Sequence, residues 1–419
     1  MQYYLVEGGK PLHGSIPISG AKNSVLPILA ATLLTGGRTV LHNCPDLRDV
    51  RSALEILEHL GCRIRRQGSD ILVDSSCASR WDVPHALMRE MRSSVIFLGP
   101  ILARFGKARL SLPGGCEIGQ RPIDLHLAAL HRLGAEIREE GGDILCRAGD
   151  LRGGEIILSF PSVGATENAM LTACACSGVT RIINAAREPE IADLQAFLQK
   201  AGADISGSGE SVITVSGGMP RRDVEHTILP DRIETATYLC AAAACGGEVT
   251  LTETQPEQVG TVLQCLSEAG CTVRTAGRSI TLLAPERLGH IAQVRTMPYP
   301  GFPTDAQAPL MAAACTGQGA SVFLETIFEN RYRHVSELAR MGADIRVSGR
   351  TALVNGAVLH GASVRCTDLR GGAALVIAAL AARGESRIES ITHIDRGYER
   401  LAEKLTALGG SIRRLEEPD

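Results

Sequence analysis

Apolar and polar positions follow one compound pattern that recurs six times along the chain. Each unit has a run of small apolar residues: NSVLPILAATLL, SSVIFLGPILA, ENAMLTACACS, ETATYLCAAAAC, DAQAPLMAAAC and GGAALVIAALAA. An amphipathic run follows, such as DLRDVRSALEILEHL, where Val50, Leu54, Leu57 and Leu60 keep helical spacing. A Gly closes each such stretch, at Gly61, Gly134, Gly202, Gly270, Gly342 and Gly409, at intervals of 73, 68, 68, 72 and 67 residues. After the first five, two short alternating runs flank a polar turn, as in CRIRRQGSDILV, which predicts a hairpin. Each unit therefore reads as strand, small helix, strand, amphipathic helix and hairpin.

Six units over 419 residues divide most simply into two domains of three. The first unit begins near SIPISG and the fourth near EHTILP. The sixth ends in SIRRLEEPD without a return strand, and the amino-terminal YYLVEGG is a strand with no helix of its own. The strand is expected to complete the last unit. The boundaries are then residues 22–229 for one domain and 1–21 plus 230–419 for the other.

Small helices rich in Ala and Cys suit the inside of a domain, which leaves the sheets outside. This inverts the usual α/β layering. The fold class is α/β, with two inside-out domains of three repeated units each. Threefold repetition is expected to bring the amino ends of the small helices to one surface per domain. Two such surfaces would face a ligand cleft, with positive helix ends suited to anions.

Composition narrows the function classes. A net charge of −3, a pI near 6.4 and 3% aromatics argue against a nucleic-acid partner. The apolar runs span roughly a dozen residues, against the ~20 that a bilayer needs, so no membrane insertion is expected. MQYYLVEGGK has neither a basic start nor an apolar signal core, which points to the cytoplasm. Thirteen cysteines form no CxxC pair and eleven histidines no HExxH spacing, so neither a metal nor a redox site is suggested.

The charged residues that break the apolar pattern recur at equivalent places. Lys22, Arg92, Arg232, Asp305 and Arg370 stand at the start of the small helices. Arg48, Cys116 with Arg121, Glu188, Arg331 and Arg396 precede the amphipathic ones. Each alone reads as a surface group or a cap. Together the cations would repel one another until an anionic ligand arrives, and Arg forks suit carboxylate and phosphate. Asp305, after Pro303 and Thr304, reads equally as a helix cap or as a reactive carboxylate. LPGGCEIGQRP is a Gly-rich loop peculiar to the second unit, and it places Cys116 outside any apolar run, as a lid cysteine would be. His126 and His131, five apart, do not share a helix face and read as packing or capping residues.

Ten segments carry a resemblance: SGAKNSVLPILAA, MRSSVIFLGP, LPGGCEIGQRPIDLH, PSVGATENAM, NAAREPEI, DRIETATYL, GFPTDAQAP, ETIFENRYRHVSEL, DLRGGAAL and HIDRGYERL. In this order they resemble the enolpyruvyl transferases over essentially the whole chain. The resemblance implies transfer of the enolpyruvyl group of phosphoenolpyruvate to the 3-hydroxyl of UDP-N-acetylglucosamine, with loss of phosphate and no cofactor or metal. It assigns Lys22, Arg121 and Arg396 to the donor's phosphate, and Arg331 and Arg370 to its carboxylate. Asn23, Arg92, Arg121, Pro122, Ile123, Asp124, Leu125, Ser162, Val163, Gly164, Asp305 and Ile327 would contact the sugar nucleotide. Cys116 would protonate the donor's methylene carbon and assist product release, and Asp305 would take the hydroxyl proton.

Glu117, Ala306 and Ile96 depart from common family spelling and bear on lid behaviour and fine sugar contacts. The sister branch acting on shikimate 3-phosphate lacks the PGGC loop and usually reads GSKS where this chain reads GAKN. A silent UDP-sugar-binding paralogue would have lost catalytic residues, whereas Lys22, Cys116, Asp305 and Arg396 are all present.

Overall fold

The computed structural model describes residues 2–111, 123–219 and 221–417. They form two compact units, residues 2–19 with 230–417 and residues 20–111 with 123–229. Each contains three four-stranded sheets.

The small helices lie at the centre of each unit because no face of them is polar. In Arg232–Cys245 every residue from Arg232 to Ala243 is buried, and in Leu369–Ala381 every residue from Arg370 to Leu380. Thr304–Ala314 completes this trio, and the three helices pack on one another. Lys22–Thr35, Leu98–Phe105 and Val163–Ala173 do the same in the other unit. Ala and Gly at the contacts let the axes approach closely. The sheets cover these helices with one face. Along Arg38–His42, for example, Thr39 and Leu41 are buried while Arg38 is exposed.

The six recurrent glycines end their helices for a conformational reason. Gly61, Gly134, Gly202, Gly270, Gly342 and Gly409 all have φ between 89° and 104°. That left-handed region carries a Cβ penalty for other residues and is the usual C-terminal stop.

Two features differ from the sequence reading. The second unit's small helix is not continuous: Arg92–Phe97 is 3₁₀ and Leu98–Phe105 is α-helical. Pro100 lies in the first turn of the α-helical part, where its missing N–H is tolerated. Asn168 bridges the break, its Oδ1 accepting from Gly99 N–H at 2.8 Å and its Nδ2 donating to Val95 O at 3.0 Å.

The lead strands of the first and fourth units are also exchanged. Leu12–Pro17 pairs in parallel with Gly247–Thr252, and Val224–Thr227 with Arg38–His42. The expected starts near SIPISG and EHTILP therefore belong to each other's sheets. The amino-terminal strand Gln2–Glu7 lies between Glu385–Glu389 and Ser411–Glu416, antiparallel to both, where a hairpin's return strand would stand. Among the described residues no helix is long and apolar enough to cross a membrane.

Candidate active site

In the unit formed by residues 2–19 and 230–417, one carboxylate organises the buried cations. Asp305, in the first turn of Thr304–Ala314, accepts from Arg331 Nη2 at 2.7 Å and from Arg370 Nη2 at 3.2 Å. Both arginine side chains are 3% exposed, that of Asp305 26%. The capping alternative for Asp305 fails, since Pro303 holds the cap position without a side-chain bond. Burial alone would favour neutral Arg370, but Tyr398, Asp305 and Asp231 hold its guanidinium firmly charged. Its Nε and Nη1 have no hydrogen-bond partner among the described residues, nor has Nε of Arg331.

Glu325, 1% exposed, shapes the adjacent turn. Its Oε1 accepts the N–H groups of Ile327 and Phe328 at 2.8 and 3.0 Å, and its Oε2 accepts from Thr304 Oγ1 at 3.0 Å. Ile327 is thereby set beside the Asp305 helix. Asp231 and Asp368 cap the helices that begin with Arg232 and Leu369. The guanidinium of Arg232 stands 5.6 Å from the Tyr299 ring centroid. Arg396 ends the 3₁₀ turn Ile391–Arg396.

His334, fully buried just before the helix Val335–Arg340, has no partner at either ring nitrogen among the described residues. Burial lowers its pKa to about 4, with Asp368 opposing. The unfolded chain then binds a proton between about pH 6.5 and 4 that the folded chain excludes, so acid removes stability through this window. His334→Leu should show a smaller drop in urea midpoint from pH 7 to pH 5 than the parent. An equal drop in both would mean that this ring does not drive the acid sensitivity.

In the other unit, Lys22 opens the helix Lys22–Thr35, with half-buried Asn23 next. Lys22 Nζ lies 2.6 Å from Asp49 Oδ2, the carboxylate being 1% exposed. Arg48 pairs with Glu90 at 2.8 Å. The expectation of mutually repelling cations is therefore corrected in both units, because Asp49, Glu90 and Asp305 already offset the charge. An anion entering here would compete with carboxylates in place.

Ile123 caps the helix Asp124–Arg132, which carries Leu125, and Ser162 caps Val163–Ala173 through Oγ to Ala165 N–H at 3.4 Å. Val163 and Gly164 thus supply first-turn N–H groups, the natural donors for a phosphate. His126 connects the two helix starts. Its Nδ1 lies 2.7 Å from Asn168 Nδ2, and a Cβ on Gly164 would meet its ring at 2.9 Å. Burial lowers the pKa of His126 to about 4. Arg92 opens the 3₁₀ segment. Cys116, Arg121, Pro122 and the rest of the Gly-rich loop lie outside the described residues. Sequence reasoning missed Asp49 and Glu325, the carboxylates that hold Lys22 and the Ile327 turn. Asp49 stands beside Arg48 and Glu325 within ETIFENR, and neither place marks it as a partner of the site.

The EPSP synthase (3-phosphoshikimate 1-carboxyvinyltransferase) family model matches residues 6–405. The chain belongs to this family of enolpyruvyl transferases. Among curated relatives, UDP-N-acetylglucosamine 1-carboxyvinyltransferase 1 of Symbiobacterium thermophilum is 52% identical, covering 98% of this chain and 95% of its own. UDP-N-acetylglucosamine 1-carboxyvinyltransferase 2 of Caldanaerobacter subterraneus subsp. tengcongensis is 48% identical, covering 99% and 100%. The solved enolpyruvyl transferase NikO from Streptomyces tendae superposes with a TM-score of 0.88 at 26% identity, over 100% of this chain and 99% of that one. EPSP synthase from Acinetobacter baumannii, at 17% identity and a TM-score of 0.74 over 99% and 100%, shares the fold. The inside-out layering is thus the enolpyruvyl transferase fold.

Proposed function

We propose that this protein transfers the enolpyruvyl group of phosphoenolpyruvate to the 3-hydroxyl of UDP-N-acetylglucosamine, releasing phosphate. The step would commit the sugar nucleotide to peptidoglycan synthesis in the cytoplasm. The observation carrying the reading is near-half identity, over nearly full length, to relatives named for that activity.

The reaction runs by addition and elimination. A proton delivered to the donor's methylene carbon, the role assigned to Cys116, makes C2 cation-like. The sugar oxygen bonds to C2 while Asp305 takes its proton. Loss of a proton from the methyl carbon then restores the double bond as phosphate leaves. Lys22, Arg121 and Arg396 would hold that phosphate, and Arg331 with Arg370 the donor carboxylate. Asn23, Arg92, residues 121–125, Ser162, Val163, Gly164 and Ile327 would bind the acceptor.

Asp305 accepts from both guanidiniums. A donor carboxylate competing for Arg331 and Arg370 would loosen those pairs and leave the Asp305 oxygens freer to meet the sugar hydroxyl.

Phosphate release from phosphoenolpyruvate, with UDP-N-acetylglucosamine or shikimate 3-phosphate as acceptor, tests the reading. Release with the sugar nucleotide alone is expected. Release with shikimate 3-phosphate alone would move the chain to the sister activity, and release with neither would sink the proposal.

A further inference from the structure

The loop that ends in Arg396 is pinned at several points in its own unit. Asp395 accepts two bonds from Arg414, at 2.8 and 2.7 Å. Tyr398 Oη lies 2.9 Å from Thr237 Oγ1, and its ring lies 5.2 Å from the Arg370 guanidinium. Glu399 Oε2 accepts from Ser19 Oγ at 2.7 Å.

Ser19 is the junction of a second network. Its N–H donates to Glu234 Oε2 at 2.8 Å, and its carbonyl accepts from Asp231 N–H at 2.9 Å. Lys404 Nζ donates to Glu234 Oε1 and to Ser19 Oγ, both at 2.7 Å. The side chains of Lys404 and Glu234 are 15% and 3% exposed. Burial lifts the Glu234 carboxyl to about 7 although Lys404 pulls it down.

A buried ion pair is poor value as stabilisation alone, since apolar replacements commonly do as well. What such a pair supplies is a fixed geometry. Here it ties Glu399, three residues after Arg396, to Ser19. Arg396, in the same unit, is one of the cations assigned to the donor's phosphate. We propose that Lys404 is a positioning residue that, through Ser19, Glu234 and Glu399, sets the segment presenting Arg396 to phosphate. The inference rests on the phosphate roles given under the proposed function. Lys404 touches no reacting atom in this account.

The test compares the full-length parent, Lys404→Met, Lys404→Arg and Ser19→Ala. The readouts are KM for each substrate, kcat, thermal midpoint and inorganic-phosphate affinity by calorimetry. Lys404→Met should raise KM for phosphoenolpyruvate roughly tenfold and weaken phosphate binding similarly, with KM for the sugar nucleotide within about twofold. Lys404→Arg, which keeps the positive charge, should recover most of the loss. Ser19→Ala leaves the ion pair in place and should shift the same two readouts less, which keeps the test available if Lys404→Met folds poorly. Unchanged phosphate affinity and donor KM in both variants would overturn the inference, as would equal losses for both substrates that follow the thermal midpoint. A parent that turns nothing over but binds phosphate more tightly than the variants would sink the proposed reaction and keep this inference. A parent that neither turns over nor binds phosphate would sink both.

Discussion

Asp305→Asn is expected to lower kcat by roughly 10²- to 10⁴-fold, the usual contribution of a positioned general base, without raising KM for phosphoenolpyruvate. The geometry separates these effects. Asp305 accepts from both Arg331 and Arg370, so an amide of the same shape keeps one acceptor and leaves both guanidiniums freer for the donor's carboxylate. Asp305→Ala is a different experiment, because it removes the carboxylate paired with two buried cations, at about 3–5 kcal/mol by the usual cost of a broken buried pair. Steady-state kinetics with a thermal midpoint on both variants tell catalysis from collapse. Turnover of Asp305→Asn within about threefold of the parent would remove Asp305 from the proton-transfer role, given the size of that contribution.

Lys22 allows a cleaner separation of stability from function. Lys22→Met leaves Asp49, 1% exposed, without the ammonium 2.6 Å away, and should cost about 3–5 kcal/mol if Asp49 stays charged. The double variant Lys22→Met/Asp49→Asn removes both charges and should regain most of that loss, because an apolar and amide pair tolerates burial. Activity should not return in either. Losing one preorganised cation at a phosphate that carries charge in the transition state lowers kcat/KM by about 10²- to 10³-fold. Denaturant midpoints and kcat/KM on the three proteins check this. Recovery of activity in the double variant would make Lys22 a structural counter-ion.

The architecture was legible because its signals were local. A Gly that must adopt positive φ after each amphipathic helix, and a helix with no polar face, need no knowledge of the tertiary structure. All six glycines have that conformation, and the small helices are the buried ones. The truncated sixth unit likewise left a missing return strand, and Gln2–Glu7 stands in its place. The exchange of Leu12–Pro17 and Val224–Thr227 was not legible. Both are short lead strands with similar alternation, and nothing in either sequence names its partner.

For the site, the cations could be found as charges interrupting an apolar pattern, but their counter-charges could not. Asp49 follows Arg48 at a helix start, where an acid is expected on dipole grounds alone. Glu325 reads as an ordinary polar residue at a strand end. Only the fold shows that one holds Lys22 and the other the Ile327 turn. The same blindness made the converging cations look unbalanced.

The central claim is a bond between C2 of the donor and O3 of the sugar nucleotide. Phosphoenolpyruvate labelled with ¹³C at C2, incubated with UDP-N-acetylglucosamine and the protein, tests it directly by NMR of the isolated sugar nucleotide. The account predicts the label in an enol ether, coupled to the proton on sugar carbon 3, with one phosphate released per label incorporated. Label confined to phosphoenolpyruvate or pyruvate, with the sugar nucleotide unchanged, would contradict it.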